Sequence, residues 1–360
     1  MKNNFKIPTI DKKELIGAEY LFIDGISRSG KGALAPFISS LKNVEHFKSN
    51  YNFDRLIFLY ETKKLTDDAF RYLLETDLIM DTWFTMIGRN QNTNKHDLTS
   101  ILNSPKFELY KKRENIEDNP ETFLQLENKI LKNKTKFTYI TDDFIIHKKL
   151  IKKIVNNSKF IVSVRNPIEL IFAWERSGRG LRFGNDKRFL HPTFSKGKIN
   201  NVPYYAINDM KQYHNYSSLE KCTYSIINLQ KKYYEAYNLS SKDIVWLSFE
   251  KVLIDPLNNF KRLFNFLGQE NFNVSDNLLE NARIPRKICK KTHETKARII
   301  FSNVNKSLKA NLLKLCNFHI ELFGNTYDVD YNQLSIKYEE YKDFKSISPN
   351  PQYRKGKRIN

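Results

Sequence analysis

The chain has 360 residues, 40% of them apolar, and its 60 Lys and Arg outnumber its 40 Asp and Glu to give a formal net charge of +20. This composition excludes a disordered polymer and suits one large α/β domain or two small ones, while the basic balance favours anionic ligands although the Lys residues are scattered as on a solvated surface. Cys222, Cys289, Cys316 and the seven His are too dispersed for a disulfide framework or a zinc site, and no apolar run reaches the roughly 18 residues of a spanning helix.

Tyr20-Leu-Phe-Ile23 is a short apolar run that predicts a buried strand ending at Asp24-Gly25. Ala33–Leu41 predicts a helix with Leu34, Phe37, Ile38 and Leu41 on one face. Arg55–Tyr60 reads as a second strand, and residues 67–87 have helical spacing at Leu73, Leu74, Leu78 and Ile79. Residues 88–120 are polar and contain Pro105 and Pro120, so loops and short helices are expected there. Phe137–Thr141, Phe144–Val155 and Phe160–Val164 follow as strand, helix and strand, and Pro167 opens a helix through Trp174. Residues 177–203, rich in glycine and holding two prolines, are too irregular for one regular element, which in a domain of this size marks a functional or mobile segment. Leu219–Tyr237 predicts a helix, Ile244–Ser248 a strand, and Leu257–Leu267 a helix stopped by Gly268. Alternating strands and helices predict a mostly parallel sheet flanked by helices, a three-layer α/β domain over residues 1–325. The polar stretch 326–360, ending RKGKRIN, is expected to be a disordered tail.

The segment Phe22-Ile-Asp-Gly25-Ile-Ser-Arg28-Ser29-Gly30-Lys31-Gly32-Ala33 lies between a predicted strand and a predicted helix. Glycines let successive backbone N–H groups turn towards phosphate oxygens, and the helix N-terminus adds a favourable dipole. Arg28 and Lys31 supply charge. Gly25-x4-Gly30-Lys31 matches seven positions of the Walker pattern, but Gly32 stands where a Ser or Thr would hold magnesium, so no metal is expected. Nucleotide kinases of the adenylate-kinase type share GKG but carry Thr where this chain has Ala33. Sulfotransferases that use the sulfate donor PAPS carry R-S-G-T or K-S-G-T after an apolar strand, and Arg28-Ser29-Gly30 resembles that core.

Two later stretches resemble the same family. Phe160-Ile-Val-Ser-Val-Arg165-Asn166-Pro167 is similar to the sulfotransferase segment that binds the donor's 3′-phosphate, with Ala173 where the family has a Ser. Ile244-Val-Trp-Leu-Ser-Phe-Glu250, then Asp255-Pro256 and Phe266-Leu-Gly268, resembles the family's later strand and helix. The resemblance spans about residues 20 to 268. It implies a P-loop NTPase-like sulfotransferase architecture, PAPS as donor with PAP as product, and a hydroxylated acceptor such as a polysaccharide or glycolipid.

By that resemblance Ser29, Gly30, Gly32, Ala33 and Arg165 hold the cofactor, and Arg28 and Lys31 steady the leaving group. Arg286 and Lys287, after the F-L-G helix, are the local counterpart of a further basic loop over the cofactor. Glu45, close behind the loop helix, is the first choice of base, with His46 beside it; Asp142 and Asp143 after the strand at 137–141 come second. The glycine-hinged arginines 176, 179 and 182 are placed to close over an acceptor. A P-loop kinase using Lys31, those arginines and Asp142 is the main alternative, and a basic nucleic-acid-binding protein is the other, although no RNP, KH or zinc-finger pattern supports it. The N-terminus MKNNFKIPTIDKKELIG has no apolar core before a cleavage site, so a cytoplasmic protein is expected.

Overall fold

The apolar run at 20–23 becomes β1 (Glu19–Asp24), buried along all but its first residue. A computed structural model describes it together with the rest of residues 8–183, 185–187, 191–237, 241–269 and 274–336. After β1 come α1 (Lys31–Ser40), α2 (Tyr51–Glu61), α3 (Asp67–Met86), α4 (Phe107–Arg113) and α5 (Pro120–Asn133). Then follow β2 (Lys136–Ile140), α6 (Lys148–Ile154), β3 (Ser158–Val164), α7 (Pro167–Arg176) and α8 (Arg179–Arg182). The hairpin strands β4 (Thr193–Lys196) and β5 (Ile199–Pro203) precede α9 (Met210–Asn215), α10 (Ser218–Tyr237) and β6 (Ile244–Ser248). The described chain ends with α11 (Phe249–Ile254), α12 (Pro256–Phe266), α13 (Asp276–Ala282), α14 (Lys290–Asn303), α15 (Lys306–Phe323) and α16 (Tyr331–Ile336).

The main sheet has the order β2-β1-β3-β6; it is mostly parallel and flanked by helices. β1 and β2 run parallel with Tyr20 opposite Phe137 and Ile23 opposite Ile140, which requires the long helical crossover between them. The chain divides into two compact units: one comprises the residues up to Ile23 and Leu34–Phe160, the other Asp24–Ala33 and the residues from Ile161 onward.

In the first unit Phe22 is fully buried, its ring centroid 5.0 Å from that of Phe144 and 5.5 Å from that of Phe160. Each such ring contributes about 1.5–3 kcal/mol of transfer free energy. In the second unit α7 packs on α10 and α10 on α15, with Trp174, Tyr233 and Tyr234 buried.

Two expectations need correction. Arg55–Tyr60 is not a strand but part of α2, started by Asn50, whose side chain accepts from the Asn52 amide. A six-residue apolar run does not distinguish strand from buried helix, and the cap decides it. The stretch 177–203 forms no single regular element: its described residues hold the four-residue α8 and the β4–β5 hairpin. Residues 326–336, read as the start of a polar tail, include buried Tyr327, Val329, Tyr331 and Leu334, so widely spaced apolar side chains anchor them; residues 337–360 lie outside the described residues.

Candidate functional site

The glycine-bearing loop belongs to the second unit, and its backbone is unusual residue by residue. Gly25 has φ 147° and Gly30 has φ 107°, and Arg28, which has a Cβ, is held at φ 76°. A Cβ on Gly25 would lie 2.4 Å from the Ser163 carbonyl oxygen, and one on Gly30 would lie 2.2 Å from the Phe249 ring. Only glycine permits both the conformation and the approach.

Three successive loop carbonyls are tied to the surrounding unit. The Trp174 indole donates to the Ser27 carbonyl (2.8 Å), Arg165 Nη1 to the Arg28 carbonyl (3.0 Å) and Ser163 Oγ to the Ser29 carbonyl (2.8 Å). In a trans peptide the N–H of the next residue points opposite to the carbonyl. The anchored carbonyls therefore turn the amides of Arg28 and Gly30 away from the protein, while the Ser29 amide closes the turn on the Ile26 carbonyl (2.9 Å). α1 begins at Lys31; the Ala33 amide donates to the Gly30 carbonyl (2.9 Å), and the amides of Lys31 and Gly32 precede the helix's own ladder. The result is a concavity of N–H groups with Lys31 buried and Arg28 exposed. Ser29 Oγ is buried with no hydrogen-bonded partner among the described residues. Such a cradle suits the oxygens of a phosphate.

Arg165 leaves β3 at its C-terminal end. Its guanidinium lies 3.5 Å from Glu169 and 3.9 Å from Glu250, with its carbon 5.6 Å from the centre of the Phe249 ring. Behind it a chain of hydrogen bonds runs through the unit: Asn166 Nδ2 donates to Tyr331 Oη (3.0 Å), Tyr331 Oη lies 2.7 Å from His293 Nε2, and His293 Nδ1 lies 2.9 Å from Glu169. Because Glu169 also accepts from Lys296 at 2.7 and 2.9 Å, the network assigns the imidazole proton to Nδ1 and makes Tyr331 the donor to Nε2. Burial alone would raise the Glu169 carboxyl, but the bonds from His293 and Lys296 outweigh it and hold it at about 2. Burial lowers His293 despite that carboxylate, so the ring is neutral at pH 7.

Arg28, Ser29, Gly30, Lys31, Gly32, Ala33 and Arg165 thus all belong to this one unit, as do Arg286 and Lys287. The Arg286 side chain donates to the carbonyls of Ala282 and Arg283, closing the end of α13, and Lys287 is exposed. Arg179, from the glycine-hinged segment, reaches the loop: its Nη2 donates to Ser27 Oγ (2.6 Å) and its guanidinium covers Trp174 at 4.8 Å. Sequence reasoning missed the Trp174 anchor and the His293–Tyr331 relay, since KKTHETK reads only as a polar helix face.

The three candidate acids, Glu45, Asp142 and Asp143, lie in the first unit. Glu45 is buried, and both of its oxygens accept from Arg113 at 2.8 Å. Asp142 is half-buried just after β2, and its amide donates to Asp54 (2.9 Å). Among the described residues no group of three or more potential metal ligands gathers, and no helix is long and apolar enough to cross a membrane.

No family model and no curated protein matches the chain. Among solved structures it is similar to the sulfotransferase domain of the olefin synthase of Synechococcus PCC 7002, at 12% identity over 86% of this chain and 97% of that one, with a TM-score of 0.39. It is also similar to the sulfotransferase domain from the curacin biosynthetic pathway (12% identity, 94% and 95% covered, TM-score 0.38). A third likeness is to a sulfotransferase from Alicyclobacillus acidocaldarius (12% identity, 82% and 95% covered, TM-score 0.32).

Proposed function

We propose that this chain is a PAPS-dependent sulfotransferase that moves a sulfuryl group to a hydroxyl or amine of a carbohydrate, a glycolipid or another small acceptor. The observation that carries this reading is the row of three anchored carbonyls at Ser27, Arg28 and Ser29, held by side chains that include Arg165 and Ser163 of the second resembling segment. Phe249, from the third such segment, closes over Gly30. Segments picked from the sequence for one family therefore build one cradle.

The residues present fit the donor. The amides of Arg28 and Gly30, the first turn of α1 and the Ser29 hydroxyl receive its 5′-phosphate, and the fork of Arg165 receives its 3′-phosphate. Bound there, PAPS supplies an activated sulfuryl group whose transfer releases PAP. Arg28 and Lys31 offset the charge that builds on the leaving phosphate. A base must take the acceptor proton; Glu45, close behind the loop helix, holds both oxygens on Arg113, and Asp142 and Asp143 after β2 are the other candidates. Gly32 and Ala33 offer no hydroxyl for magnesium, which a donor without β- and γ-phosphates does not need. Free thiols at Cys222, Cys289 and Cys316 support a reducing, cytoplasmic setting.

The test is thermal unfolding with PAP, and with ATP plus magnesium. PAP at about 100 times its dissociation constant should add about 2.7 kcal/mol without metal, and more than ATP does. Stabilisation by ATP that vanishes on chelation, with no response to PAP, would reject the proposal in favour of a kinase.

A further inference from the structure

The first unit contains a cavity of about 630 Å³, within the range of small-ligand sites. Its chemistry differs from that of the loop. Five side chains on its wall are carboxamides, Asn50, Asn52, Asn90, Gln91 and Asn92, and only Leu98 and Ile101 are aliphatic. A carboxamide presents a donor and an acceptor in one plane, which matches a hydroxyl that also does both. The charges on the wall cancel: Lys48 and Arg55 stand against Asp81 and Asp97, with Lys48 already paired to Asp81 at 3.1 Å. In a chain of net charge +20 a site for an anion would not be balanced in this way.

One wall carries polar capacity that the protein does not use: Gln91 Oε1 is buried without a hydrogen-bonded partner among the described residues. Tyr51, the first residue of α2 and 55% exposed, offers an aromatic face at the rim.

We infer that this cavity binds an uncharged polyhydroxylated molecule, a saccharide, through its carboxamides with Tyr51 as the stacking face. The same saccharide is the acceptor class of the proposed transferase; that role rests on the reading above, whereas the binding does not.

The experiment is saturation-transfer NMR on the full chain with glucose, galactose, mannose and N-acetylglucosamine, and with glucuronate as the charged counterpart. At least one neutral sugar should bind, more tightly than glucuronate. Tyr51→Ala should weaken it about tenfold, and Asn90→Asp, at a position whose φ of 55° Asp tolerates, should weaken it by a similar factor. Both residues are exposed, so the variants fold. No transfer from any neutral sugar, a preference for glucuronate, or unchanged binding in both variants overturns the inference. PAP binding is measured on the same samples. Its survival without sugar binding sinks only this inference, and sugar binding without PAP binding sinks only the transferase reading.

Discussion

Arg165 divides its guanidinium between two tasks. One N–H supports the loop through the Arg28 carbonyl, while Glu169 and Glu250 lie at 3.5 and 3.9 Å, too long for strong bonds. Its Nε is buried without a hydrogen-bonded partner among the described residues, so the fork retains capacity for an anion. Glu169 is itself drawn towards Lys296 and His293, which prevents it from closing on the arginine. Arg165→Ala should therefore weaken every nucleotide somewhat by loosening the loop, and PAP more than adenosine 5′-phosphate. Hydrogen bonds to charged groups contribute about 1.5–3 kcal/mol, so the extra loss for PAP should be about ten- to a hundredfold in titration calorimetry. An equal loss for both ligands would leave Arg165 with only the loop to support.

At the scale of elements, α4 is short yet fixes the turn that follows α1. Lys106, just before it, donates to the carbonyls of Leu41 and Val44, each at 2.6 Å, and Arg113 in its last turn clamps Glu45. Burial lowers the Lys106 ammonium to about 8, a mark of how far this corner is removed from water. The turn's apolar pattern was legible, but the partners of its charged residues were not: Glu45 and Arg113 are 68 positions apart. The loop at 25–33 was legible for the opposite reason, because glycine spacing and an apolar strand are local signals. The helix over 51–61 was missed because Asn50 resembles any polar loop residue until its side chain is seen capping. Glu45→Gln should leave a buried guanidinium without its counter-charge and cost about 3 kcal/mol in urea unfolding, the lower end for a broken buried pair. Replacing both partners by apolar residues of similar volume should restore most of it. A variant of unchanged stability whose turnover falls about 10²–10⁴-fold would instead assign the role of base to Glu45.

For the whole molecule, buried histidines set the response to acid. Burial lowers His46 from 6.5 to about 4 and His319 from 6.5 to about 3, and it lowers His293 as well. Each is neutral in the folded chain at pH 7, and each takes up a proton near pH 6.5 once unfolded. A group whose folded pKa is depressed contributes stability above its unfolded pKa and loses it as pH falls towards the folded value. The stability these rings contribute should therefore begin to fall below about pH 6.5. His46 and His319 each contribute up to about 1.4 kcal/mol per pH unit, a joint slope of about 2.7 kcal/mol per unit, and His293 adds to it in the same direction. Between pH 6.5 and 4.5 His46 and His319 each lose about 2 kcal/mol, and their sum of about 4 kcal/mol is a large share of the roughly 5–15 kcal/mol that holds an ordinary domain together. Glu169, held at about 2, adds a second limb below its ordinary value of 4.5 that is lost as pH approaches 2. Urea unfolding at half-unit steps from pH 7.5 to 4.5 should show the slope, and His46→Gln should remove up to about half of it. A stability that stays level from pH 7 to pH 5 would mean that water reaches these rings in the folded chain.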